Sequence, residues 1–136
     1  MLRTDLFKTM DRVHTRFIAT RDTITIPDTE FDVRILDVKH NRQGRLGVGV
    51  HFLILLNGDI QLGRRVNTIG SHSRDFDEIS VAIGVVGGIN EEGDRANTRT
   101  PEQLEALADL IALLQIMYPG AEPHDRPAQP NPSPMI

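Results

Sequence analysis

The chain reads as a mixed-sheet protein of the α/β or α+β class, and three features of the pattern predict this. A period-2 stretch near the N-terminus is followed by a helical one. Two strongly apolar strand segments lie in the middle. A long, well-capped helix comes after them. The first strand runs over Arg12 to Thr20, where Val13, Thr15, Phe17 and Ala19 alternate with His14, Arg16, Ile18 and Thr20. Asp28 or Thr29 can cap the helix that follows, with Phe31, Ile35 and Val38 at i, i+4, i+7 and Gly44 as its stop. Val48 to Leu56 is the strongest strand candidate. Asn57-Gly58 signals a type I′ hairpin turn into a return strand over Asp59 to Leu62. Ile79 to Val86 is a buried, nearly continuous apolar strand ended by Gly87-Gly88. Those glycines suit a tight strand-to-loop turn; no Lys-Ser or Lys-Thr follows to make a phosphate loop. Thr100-Pro101-Glu102-Gln103 then opens a helix with Thr at N-cap, Pro at N1 and Gln at N3. Its expected apolar face is Leu104, Leu107, Ile111, Leu114 and Met117, and it ends near Tyr118-Pro119.

The last stretch differs in kind. Pro119, Pro123, Pro127, Pro130, Pro132 and Pro134 favour extended, polyproline-like chain over helix or ladder pairing. This divides the chain into a domain over 1–118 and a proline-rich extended tail over 119–136.

Composition narrows the function. The 136 residues are 39% hydrophobic and 25% charged, with a net charge of −4, which fits one globular domain and argues against a generally basic nucleic-acid binder. With no cysteine, thiolate zinc sites, Fe–S clusters and cysteine nucleophiles are excluded. Aromatic residues are only 4%, too few for a base-stacking platform. No apolar stretch is long enough to span a membrane, and Met1 to Met10 lacks the apolar core of a signal peptide. The expectation is synthesis in a cytoplasm without standard export. Arg42, Arg45, Arg64, Arg65 and Arg74 read as solvated surface, and Glu91, Glu92 and Asp94 as a polar loop without acid–base pairing.

Several short strings, in order, carry a resemblance. They are Lys39-His40 through Gly44 into Val48-Gly49-Val50-His51-Phe52; Asn57-Gly58-Asp59 with Gly63-Arg64; Gly70-Ser71-His72-Ser73; Ile79-Ser80-Val81 through Gly87-Gly88-Ile89-Asn90; and Thr100-Pro101-Glu102-Gln103. Together the chain resembles the zinc-dependent N-acetylmuramoyl-L-alanine amidases of the type 2 group, which include small phage lysozymes and the peptidoglycan recognition proteins. The resemblance implies an α/β fold with a central mixed sheet flanked by helices. It implies a zinc ion at one sheet edge, held by a His of the first strand and by a His and a Cys or Asp from the loop after the last helix. It also implies a Tyr and a Lys (or Glu) that assist attack of water on an amide.

Counted from Ala19-Thr20, the first ligand position is Arg16, a permanent cation that cannot ligate a metal. His124 matches the second ligand position and Asn131 the third. Val50 stands at the Tyr position and Gln129 at or near the Lys position. His72 falls where the family lines its substrate groove. His51 keeps a family His, which alternation turns to the other strand face in a structural role. A shifted metal site from His14, His124 and Asp125 is a further arrangement. These departures lead to the expectation of no zinc, no other cofactor and no amide hydrolysis. The expected role is a phage virion component, such as a tail or neck attachment protein, binding other phage structural proteins or copies of itself through the extended tail, with no membrane or nucleic-acid partner. Two alternatives stay open. One is a zinc-dependent amidase (endolysin) that cleaves peptidoglycan; the other is a regulatory binder of a phage RNA polymerase, as the resembled lysozymes can be.

Overall fold

The computed structural model describes residues 15–36, 49–63 and 79–130. Five strands make one mixed sheet: β1 (Phe17–Asp22), β2 (Phe52–Ile54), β3 (Ile60–Leu62), β4 (Ser80–Val85) and β5 (Glu122–Arg126), in the order β3-β2-β4-β1-β5. The β2–β3 pair is antiparallel, and the β2–β4, β4–β1 and β1–β5 pairs are parallel. One long helix, α1 (Pro101–Met117), connects the sheet interior to its β5 edge. No helix among the described residues is long and apolar enough to cross a membrane.

Both sheet faces are covered, as a mainly parallel sheet requires. On one face Ile18, Ile54, Val81, Ile83 and Val85 pack with Leu107, Leu110, Leu114 and Tyr118. On the other, Val50, Leu53, Ala82 and Val86 pack with Phe31 and Leu36. The α/β reading with a central mixed sheet therefore holds. All six residues of β4 are buried, which is why that strand reads as a continuous apolar run.

Thr100 caps α1 through the full capping box: its hydroxyl accepts the Gln103 N–H at 3.1 Å, and Gln103 Oε1 accepts the Thr100 N–H at 3.0 Å. The same two side chains fasten the helix to the sheet. Thr100 Oγ1 donates to the Leu56 carbonyl, and Gln103 Nε2 donates to the carbonyls of Val86 (2.9 Å) and Ile54 (3.3 Å). The buried face of α1 is Gln103, Leu107, Leu110 and Leu114. This differs from the periodic reading: Leu104 is 51% exposed and Met117 52% exposed, while Leu110 is in the core. The helix rotates because Gln103 must reach two strand ends, a demand invisible to an apolar count.

Other local expectations shift in detail. The first strand continues to Asp22, two residues past its expected end. The short helix over residues 33–36 is capped by Asp32, whose Oδ1 accepts the N–H groups of Arg34 and Ile35, rather than by Asp28 or Thr29. The Arg34 side chain and the Ile35 N–H hold the Asp32 carboxyl below its ordinary range. The β2–β3 hairpin exists, but its turn is not type I′: of Asn57 and Gly58 only Gly58 has a positive φ (90°), and the Gly58 N–H closes back to the Leu55 carbonyl. This is a type I turn followed by a left-handed glycine. The expected helix stop at Gly44 and the arginines 42, 45, 64, 65 and 74 lie outside the described residues.

The largest correction concerns the proline-rich stretch. Its first part is not a tail beyond a domain ending at 118 but the edge strand of the sheet. The Glu122 N–H donates to the Arg16 carbonyl, and β5 runs in register from Phe17↔Glu122 to Arg21↔Arg126. Alternate N–H groups of an edge strand face outward, so Pro123 sits where no donor is needed. Ala121 and Ala128 are buried at its two ends.

Two outcomes follow from this packing. Gln103→Leu leaves the Val86 carbonyl and the Thr100 N–H without their partner and the Ile54 carbonyl with only the Val86 N–H, at a cost of about 1–3 kcal/mol. Urea unfolding should show a lower midpoint with an unchanged slope; an unchanged midpoint would contradict the account. A chain ended at Pro119 loses β5 and exposes the β1 edge, and should lack a cooperative thermal transition by circular dichroism. A melt like that of the full chain would mean that residues 120–130 are dispensable.

Candidate functional site

The C-terminal ends of β1 and β5 meet the loop over residues 90–99 at one corner of the sheet. The corner is built on a buried ion cluster. Asp22, at the end of β1, accepts Arg99 Nε at 2.9 Å on Oδ1 and the Ala128 N–H at 2.6 Å on Oδ2. The other two guanidinium nitrogens of Arg99 grip Asp125 of β5 as a fork, at 2.6 and 2.8 Å. The Asp22 and Arg99 side chains are 1% and 3% exposed. Burial alone would pull the Arg99 guanidinium down, but its bonds to Asp125 and Asp22 carry it above the ordinary arginine value, so it stays charged.

The backbone around this cluster is tight. Gly88 takes φ 107°, which a side chain would strain, and is closely packed: a Cβ there would lie 3.1 Å from Asp22 Cβ and 3.3 Å from Ala128 Cβ. Ile24 adopts φ 56°, an unfavourable conformation for a β-branched residue. It is held by its neighbours: the Thr25 N–H donates to the Gly87 carbonyl, and Thr23 Oγ1 accepts the Gly87 N–H. The resulting open cavity, about 640 Å³, is lined by Arg21, Asp22, Ile24, Arg95, Asp125, Arg126 and the chain from Pro127 to Pro130.

The residues singled out from sequence do not converge here. Arg16 precedes β1, and alternation puts it on the face of Ile18. His124 pairs across from Ala19, on the other face. The His124 ring leans on Phe17, centroids 4.4 Å apart, with Nε2 4.0 Å from a Glu122 carboxylate oxygen. Val50 is a core residue with no proton to offer. Gln129 does line the cavity. His51 is structural, as expected: it is fully buried, its Nδ1 accepts the Ala82 N–H at 2.9 Å, and its own N–H donates to the Ala82 carbonyl. His14, His72 and Asn131 lie outside the described residues.

The sequence reading missed Arg21, Arg126 and the Asp22–Arg99–Asp125 cluster. Arg21 and Arg126 are register partners on adjacent strands, so they face the same way. Only the pairing of β5 with β1 makes them neighbours, and no local pattern announces it.

The zinc ion implied by the family resemblance would sit at Arg16, His124 and Asn131, of which Arg16 and His124 lie on opposite faces of the sheet and Asn131 outside the described residues, and the corner offers no substitute site. Its side chains are three guanidiniums, which repel a dication and cannot ligate it. Its two carboxylates are already engaged by Arg99. No three His, Cys, Asp or Glu side chains among the described residues come together to hold a metal. The described residues do not fit zinc.

Removing the cation at the centre of the cluster tests its weight. Arg99→Met strands a buried Asp22 and should cost about 3–5 kcal/mol, read as a drop in the urea midpoint. A cost below about 1 kcal/mol, the range of an exposed pair, would contradict a keystone role.

No protein-family model matches the chain. Curated relatives do. The chain is 37% identical over 92 residues to an endolysin of Klebsiella phage KP32, a match covering 66% of this chain and 61% of the relative. It is 34% identical over 110 residues to an endolysin of Escherichia phage T7, covering 81% of this chain and 73% of the relative. Thus the match spans about six tenths of the KP32 relative's length and nearly three quarters of the T7 relative's. Among solved structures, the endolysin N-acetylmuramoyl-L-alanine amidase LysCS from Clostridium intestinale superposes with TM-score 0.71 at 26% identity, covering 88% of this chain and 74% of that one. These findings correct the expectation of a non-catalytic virion component, because the matched relatives and the solved structure are cell-wall enzymes by name. A relative 34% identical across most of both chains, on the sheet of an amidase, establishes that this chain belongs to the family of the phage endolysin amidases and peptidoglycan recognition proteins.

Proposed function

We propose that the chain acts on bacterial peptidoglycan as an endolysin, with the amide between N-acetylmuramic acid and the stem peptide as its target bond. The observation that carries this reading is the identity of 34% over 110 residues to the T7 endolysin. The fold supports it, because the cavity opens where β1, β5 and the loop after β4 converge.

Amide hydrolysis needs a base for the attacking water and a donor for the carbonyl oxygen. Gln129 lines the cavity and its side-chain amide can donate to a carbonyl. Asp125 is held by Arg99 and is not the base. The imidazoles open to that role are His124 and, outside the described residues, His14, His40 and His72. The described corner thus supplies substrate contacts and a rigid frame.

The test uses the full chain with purified sacculi and counts new L-alanine amino termini, the product of cleaving that bond. The expected result is a rise above the buffer control that follows protein concentration. No rise, at protein levels where the chain sediments with the sacculi, would overturn cleavage as the activity.

A further inference from the structure

We propose that the outward stripe of α1 is the docking surface for residues 1–14 of the same chain, which lie along it from its last turn back toward its first. The proposal is independent of the peptidoglycan reading.

The stripe is read from the helix itself. Glu102, Glu105, Asp109, Leu113 and Ile116 recur at i, i+3, i+7, i+11 and i+14, so they share one face. None belongs to the buried set Gln103, Leu107, Leu110 and Leu114. The first half of the stripe is acidic and the second half apolar. Leu113, Ile116 and the adjoining Met117 are 53%, 77% and 52% exposed. Large apolar side chains gathered on one helix end mark a contact surface in a way that a single exposed leucine does not. The helix carries no Lys, Arg or His, so nothing on α1 itself offsets its three acids.

The path of the chain brings residues 1–14 to this place. Only residues 118–121 separate α1 from β5. The Ala121 N–H donates to the Tyr118 carbonyl at 3.0 Å, and the Glu122 N–H donates to the Arg16 carbonyl at 2.8 Å. The chain therefore enters β1 beside the last turn of α1. Fourteen residues in a helix span about 21 Å, against about 25 Å for the 17 residues of α1. The segment is long enough to reach from the apolar half of the stripe to the acidic half.

Its side chains match the stripe. Leu2, Leu6 and Met10 recur at i, i+4 and i+8 with Phe7 beside them, an apolar stripe of their own. Arg3, Lys8 and Arg12 outnumber Asp5 and Asp11, so the segment brings positive charge to an acidic helix. Such exposed pairs set orientation more than strength. With its end fixed at β1, Phe7 and Met10 fall near Leu113 and Ile116, and Arg3 near Glu105 and Asp109. Residues 64–78 also return to this end of the sheet, but they are fixed at both ends, to β3 and β4, and β3 is the edge farthest from β5.

The chain has no cysteine, so a single nitroxide can be attached at a chosen position. Placed on Thr4→Cys in isotope-labelled full chain, it should broaden the amide resonances of Glu105, Asp109, Leu113 and Ile116 more than those of Arg34 and Ile35 on the other side of the sheet. No broadening along α1 would overturn the proposal. Equal broadening when the nitroxide is carried by a separate, unlabelled chain would overturn it in favour of a second copy. A nitroxide on Ser71→Cys should leave the stripe sharp; broadening from there and not from Thr4→Cys would overturn it in favour of residues 64–78. Trypsin gives a second reading, because cleavage after Lys8 and Arg12 follows the population of the undocked segment. L113E/I116E should be cut there about tenfold faster than the unaltered chain, and equal cleavage would overturn the proposal. Should that variant lose its circular dichroism signal, L6D/M10D frees the same segment without altering α1. Faster cleavage is again expected, and an unchanged rate overturns the proposal.

Discussion

The Asp22 carboxylate is the point on which the described structure depends. It sits at the end of β1, is almost wholly buried, and has both oxygens engaged: one by Arg99, the other by the Ala128 N–H. Through Arg99 it reaches Asp125 on β5. One side chain thus joins the inner strand, the edge strand, the loop over residues 90–99 and the chain beyond β5. A buried charge is costly unless it is paired and hydrogen-bonded, and this arrangement satisfies both conditions. The surroundings conform to it: Gly88 is glycine because a side chain there would press on Asp22 and Ala128.

That constraint fixes the frame of the corner independently of what binds there. The sheet, the capped helix and the buried His51 bond to β4 are framework, and the chain as a whole superposes on an amidase structure at TM-score 0.71. The cavity wall is set by different residues. Arg21, Arg95 and Arg126 are exposed, so their identity affects the ligand far more than the fold. Asp125 carries charge of the right sign for a cation, but Arg99 holds it from behind. The exposed lining is therefore separable from the framework, to which the Asp22–Arg99–Asp125 cluster beneath it belongs.

What sequence could show follows the range of each interaction. The α1 cap was legible because Thr100, Pro101 and Gln103 act within one turn. The β4 strand was legible because burial on both faces leaves a continuous apolar run. The hairpin was legible in position but not in turn type, since a type I turn with a left-handed Gly58 uses the same two letters as a type I′ turn. β5 was not legible: its five residues are all exposed and contain a proline, and only the β1 edge makes them a strand. The ion cluster was least legible of all, because Arg99 lies 77 residues from Asp22 and 26 from Asp125. Nor can a linear count show that Arg16 and His124, two positions the resemblance assigns to ligands, lie on opposite faces of the sheet.

The central claim is that cell-wall material sits at the end of the sheet where β1, β5 and the loop over residues 90–99 meet. Hydrogen–deuterium exchange of the full chain, with and without soluble peptidoglycan fragments, tests it most directly. The account expects slowed exchange in residues 21–25, 93–96 and 126–130, with α1 unchanged. Protection confined to α1 or to the β2–β3 hairpin, or no protection at saturating fragment, would contradict it.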